Sequence, residues 1–113
     1  MSKIGGNTTI MIQKQIGTEK NAIGESVGIY EDAQEIFGWL DTMGGAAAYT
    51  AYNAKILEST DVFLADYVPL NEGVTAEGCR ALHGEKVYDV TYIDDPMGLH
   101  KQLEIFLKYT GGQ

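Results

Sequence analysis

The stretch Cys79–Ile93, CRALHGEKVYDVTYI, decides the fold. Two extended runs, Cys79 to Leu82 and Lys86 to Ile93, flank His83-Gly84-Glu85, and Gly84 supplies the positive φ that a tight hairpin turn requires. Downstream, Asp94-Asp95-Pro96-Met97-Gly98 is a second cluster of turn residues. Beyond it Leu103, Ile105, Leu107 and Tyr109 line one face of a last strand, whose other face carries Gln102, Glu104 and Lys108. A period of two is the signature of a strand with one side in a core.

Working upstream, Thr60 to Val68 places Val62, Leu64 and Val68 on one side and Phe63, Ala65 and Tyr67 on the other, a strand buried on both faces. Pro69 ends it by removing a backbone donor, and Leu70 to Gly78 reads as an exposed loop. Ala46 to Leu57 differs: three alanines open it, and Tyr49, Tyr52 and Ile56 fall at i, i+3 and i+7, one stripe of a short helix whose tyrosines plug a barrel end or meet a partner. Gly44-Gly45 separates this helix from Val27 to Met43, a long strand with Ala33, Phe37 and Trp39 on one parity and Ile36 and Leu40 on the other, so burial on both faces is expected. Gly38 marks a kink or a close backbone approach within it. Thr8 to Ile16 is the first strand, and Gly17 to Glu25 is an extended, mobile hairpin loop. The expectation is a mainly β protein, one domain over 1–113, folded as a small antiparallel β-barrel of about six strands with one short inserted helix, because closure removes exposed edges.

The chain has 113 residues, 44% hydrophobic and 21% charged, which is ordinary for one self-sufficient core. Eight Lys and Arg against sixteen Asp and Glu give a formal net charge of −8. The cations are scattered, so no basic patch exists to grip DNA phosphates, whereas an acidic surface lets a polyanion pass without sticking. No stretch is long and apolar enough to span a bilayer, and no export signal is read. Cys79 is the single cysteine, which excludes an internal disulfide; beside a strand it reads as a small buried hydrophobe.

Chemistry-bearing patterns are sparse. A nucleophilic triad needs a base oriented by a third group, and neither His83, in a turn, nor His100, before the last strand, has an evident partner. Asp94-Asp95 reads as turn chemistry rather than as metal ligands or a glycosidase dyad. Gly44-Gly45 lacks the Lys-Ser/Thr pair of a phosphate loop. No catalytic residue, metal ligand or cofactor site is assigned, and an enzyme is not expected.

The order strand, charged loop, aromatic-bearing strand, short helix, strand, loop, hairpin and last strand resembles that of the phage head-tail joining proteins, also called head completion or stopper proteins. The resemblance covers nearly the whole chain. It is carried by Ile10-Met11-Ile12-Gln13-Lys14, Asn21 to Glu25, Tyr30-Glu31-Asp32, Phe37-Gly38-Trp39-Leu40, Gly44-Gly45 ahead of the helix, Gly84 to Val90, with Glu85 inserted between Gly84 and Lys86, and Asp94-Asp95-Pro96 with Leu103-Glu104-Ile105.

The resemblance implies a virion protein of the neck, or connector: a homo-oligomeric ring between the portal and adaptor complex and the tail proteins. Such a ring retains packaged DNA, which passes through it without sequence-specific binding. Contacts with neighbours are expected from Tyr49, Tyr52, Ile56, Asn21, Gly24, Glu25, Asn71 and Glu72, and an acidic lumen from Glu72, Glu77, Asp94 and Asp95. The alternative is a regulatory module that binds a peptide or ligand on an aromatic surface of Tyr30, Trp39, Tyr49 and Tyr52.

Overall fold

The computed structural model describes residues 3–42 and 59–112 of the chain. Six strands make up nearly all of its regular structure: β1 (Thr8–Lys20), β2 (Ser26–Thr42), β3 (Asp61–Asp66), β4 (Cys79–His83), β5 (Lys86–Asp94) and β6 (Gln102–Gly112). All pairings are antiparallel, in the cyclic order β1-β2-β3-β6-β5-β4, with β4 returning to β1. The sheet therefore closes through a ring of hydrogen bonds and has no terminal strand. Among the described residues the only helical turn is a 3-10 turn, Pro96–Gly98. The helix expected over Ala46 to Leu57, with Gly44-Gly45 before it, lies outside the described residues.

The core is the inner face of this ring. Ile10, Ile12, Phe63, Leu103, Ile105 and Leu107 are fully buried, each worth about 1.5–3 kcal/mol over its exposed state. The alternation read in the last strand is met over Gln102 to Lys108, with Leu103, Ile105 and Leu107 inward, Gln102 and Glu104 half-buried and Lys108 exposed; Tyr109, expected on the inward face, is instead 46% exposed, next to a register shift in the β5–β6 ladder. Phe106, on the outer face, packs with Val62, Leu64 and Tyr92 in a small second cluster, so β3 is apolar on both sides as its sequence predicts. Val68 departs from that pattern; it lies past the end of β3 and turns into the main core.

Long strands on so tight a ring need breaks in register. The β1–β2 ladder shifts at Ile12/Gln13, where Ala33 of β2 is the extra residue, and at Gln15/Gly17, where Ile16 of β1 is; the β5–β6 ladder shifts at Val87/Tyr88, with Thr110 of β6 extra, and at Val90/Tyr92, with Thr91 of β5 extra. The second shift in β5 sets Thr91 into the interior, where its hydroxyl donates to the Phe106 carbonyl (3.0 Å). That proton being committed, the buried Ser59 hydroxyl is the donor in the 2.6 Å bond between the two side chains. Gly38 is the close approach expected of it: a Cβ there would run into the Leu64 carbonyl of the neighbouring strand. The segment before β1 crosses at the same place, with Asn7 N–H donating to the Gly38 carbonyl (2.9 Å).

Three expectations are corrected. Gly17 to Lys20 is not loop but strand, laddered onto Ile29 to Ser26, because β2 supplies partners that alternation alone does not reveal. Phe37 and Trp39 are 57% and 41% exposed, so this part of β2 is buried on one face only; a closed sheet has a single interior, and the two rings point away from it. Leu70 to Gly78 is not wholly exposed, since Val74 is buried and Leu70 and Ala76 pack against the core, which lets this loop cover one end of the ring.

Candidate functional site

Two features share one end of the closed sheet. The first is the outer part of the β1–β2 hairpin. The last β4 contact of β1 is at Lys14, so Gln15 to Lys20 and their β2 partners stand beyond the ring as a two-stranded ribbon. Six residues of strand reach about 20 Å. Ile16, Ile23 and Val27 on this ribbon are 56%, 79% and 39% exposed. An isolated hairpin is marginally stable in water, so exposed aliphatic side chains here contribute nothing to the free chain.

The tip is tightly organised. Asn21 Oδ1 accepts from the N–H groups of Ile23 (3.1 Å) and Glu25 (3.0 Å), Asn21 Nδ2 donates to Glu25 (3.2 Å), and Gly24 sits at φ 86° with its N–H on the Asn21 carbonyl. Asn21, Gly24 and Glu25, three of the expected contact residues, are thus brought together by one turn. At the root, Arg80 lies 3.9 Å over the Tyr30 ring and donates to Gln13 (2.8 Å), which in turn donates to Asp32 (2.8 Å). Tyr30 is thereby engaged and does not join Trp39, whose indole N–H donates to the Ile4 carbonyl (2.8 Å), in an aromatic surface.

The second feature is a cavity of about 450 Å³ between the Leu70–Gly78 loop and the β5–β6 connection. Its walls include Tyr67, Leu70, Val74, Tyr92, Ile93 and Leu103, with Thr75, Asp95 and His100 as polar members. Asn71 fixes the loop to β2 through bonds to the Ala33 carbonyl and the Gln34 side chain, both 2.8 Å. On the other side, Asp95 holds His100 twice, accepting from its backbone N–H (3.0 Å) and meeting its ring Nδ1. The His100 ring lies 4.6 Å from that of Tyr67. Met97 and His100 both adopt positive φ, 59° and 55°, and Met97 and Leu99, in the same β5–β6 connection, are exposed.

These contacts overturn the reading that the histidines lack partners, since His83 Nε2 also shares a 3.0 Å bond with the Thr8 hydroxyl. The Asp95–His100 pairing depends on left-handed backbone at Met97, in the intervening turn, and at His100 itself, a conformation that non-glycine residues rarely adopt and that no spacing rule signals.

The four acids expected to line a lumen have different surroundings. Asp95 is committed to His100, and Asp94 faces Glu104 across the β5–β6 ladder. Glu77 borders a second, more polar cavity with Asp89 and Lys108, and Glu72 lies exposed on the loop. Burial raises the Glu104 carboxyl above its ordinary range and the Asp94 carboxylate pushes it the same way, against a hydrogen bond from Gln102. Tyr49, Tyr52 and Ile56 lie outside the described residues. Among the described residues, no group of three His, Cys, Asp or Glu side chains is placed to hold a metal, and no helix is long and apolar enough to cross a membrane.

No family model and no curated protein matches the chain. Protein SF1141 from Shigella flexneri 2a, known as a solution structure, is similar in fold, with a TM-score of 0.63 over 96% of each chain at 16% identity.

Proposed function

We propose that this chain is a structural protein of a phage neck: a small β-barrel that forms a homo-oligomeric ring of the head completion or stopper type, retains packaged DNA and offers a surface for tail attachment. The observation that carries the reading is the β1–β2 ribbon, a limb with exposed Ile16, Ile23 and Val27 that has no core of its own and gains burial only against another molecule. The net charge of −8, with no cluster of Lys and Arg, suits a channel wall past which DNA slides. In this role the chain is made in the host cytoplasm, ends in the virion between the portal and adaptor complex and the tail proteins, and catalyses nothing. Asp95 then serves to pin His100 and the turn that carries it.

The test is disruption of the coding sequence in the phage or prophage genome that carries it, with electron microscopy and DNA quantification of the particles released. Tailless heads that lose their DNA, rescued by adding the purified chain, are the expected result; tailed, DNA-filled particles without the chain refute the proposal. The second reading, a ligand-binding module, is favoured by one observation, the largely apolar cavity of about 450 Å³.

A further inference from the structure

The exposed Ile23 at the ribbon tip and the largely apolar cavity are both open, and too far apart within one chain to meet. We propose that they are the two halves of one contact, in which the tip of one copy, led by Ile23, seats in the cavity of the next copy between Tyr67, Val74, Tyr92 and Leu103. The inference deepens the ring proposed above and takes its setting from that reading.

Consider first the tip. An aliphatic side chain 79% exposed gains from any dry site, and the Asn21 hydrogen bonds hold the turn in one conformation before contact, so little ordering entropy is lost on docking. The cavity is complementary in kind. Leu70, Val74, Ile93 and Leu103 provide aliphatic walls. The mouth itself is fixed, by Asn71 on the loop side and by Asp95 on the turn side.

Next, the occupant must come from another copy. The cavity lies at the root of the ribbon, since Asn71 ties the loop that walls it to Ala33 and Gln34, and a laddered ribbon about 20 Å long cannot return its tip to its own root. Glu19, Lys20 and Glu25 leave the tip with one negative charge, and Asp95, the only carboxylate in the cavity wall among the described residues, is already held to His100. Because tip and cavity are different surfaces, each copy uses both, and such a heterologous contact propagates until it closes as a ring.

Two variants of the full chain test this, Ile23→Asp at the tip and Thr75→Trp at the exposed cavity wall, with circular dichroism to verify folding. By sedimentation velocity the parent chain should associate with rising concentration, and each variant alone should associate roughly tenfold or more weakly. An equimolar mixture should form a discrete heterodimer, because the intact cavity of Ile23→Asp accepts the intact tip of Thr75→Trp and neither can extend further. If Thr75→Trp does not fold, Thr75→Arg obstructs the same mouth. A parent chain still monomeric at about 1 mM, variants that associate as the parent does, or a mixture that stays monomeric would each overturn the contact. Particles that assemble normally without the chain, alongside a heterodimer in solution, would instead refute the neck assignment and leave the contact standing.

Discussion

Gly38→Ala probes the tightest point of the sheet. A Cβ at this position meets the Leu64 carbonyl and carbon and comes to 3.0 Å from a ring carbon of Phe63, which is itself fully buried. A flexible side chain would swing away; a backbone carbonyl held in the β3 ladder cannot. Overpacking of this kind costs about 1–3 kcal/mol, and a rigid obstacle places the cost at about 2–3 kcal/mol. For a chain of this size that corresponds to a fall in Tm of roughly 8–12 °C. The control is Gly17→Ala, where a new Cβ touches nothing within 4 Å and the backbone is not left-handed, so the Tm should stay within about 2 °C of the parent. Thermal unfolding followed by circular dichroism, with urea unfolding to verify an unchanged m-value, measures both. A Gly38→Ala protein within about 2 °C of the parent, or a Gly17→Ala protein that loses as much as Gly38→Ala, would refute the claim that the cost comes from the β2–β3 approach.

Two further substitutions separate local from global effects. Asn21→Ala removes the hydrogen bonds that shape the ribbon tip; amide exchange at Ile23 and Glu25 should quicken roughly fivefold, as the loss of about 1 kcal/mol implies, while the Tm is nearly unmoved because the tip lies outside the core. Glu104→Gln tests the raised Glu104 carboxyl. A carboxyl raised on folding keeps its proton to higher pH than in the unfolded chain, so stability falls as pH climbs through the ordinary carboxylate range and stays lowered at neutrality. The Gln variant should therefore melt above the parent at pH 7, with the gain vanishing below about pH 4; a gain that is the same at both pH values would rule out the ionisation argument.

Much of the architecture is legible in residue order. The β4–β5 hairpin follows from Gly84, and the last strand from the spacing of Leu103, Ile105 and Leu107, because each depends on local turn chemistry or on one buried face. What escaped reading depends on partners distant in sequence. Gly17 to Lys20 look like loop until β2 is laid against them, and the exposure of Phe37 and Trp39 follows from closure of the ring, which no alternation within β2 encodes. The candidate site was legible in pieces only. Asn21, Gly24 and Glu25 declare a turn; the cavity, by contrast, needs Tyr67, Val74, Tyr92 and Leu103 from four separate segments, and a strained turn to bring His100 to Asp95.

The seam between β1 and β4 also shapes how the chain is made. At about 5–20 residues per second, the ribosome releases the β1–β2 hairpin a few seconds before Cys79–His83 emerges to pair with it. For that interval the first strand offers an uncovered edge to any neighbouring nascent chain. Lys14 places a positive charge on the stretch of that edge which Cys79–His83 later covers, a feature that disfavours pairing with another chain in the interval.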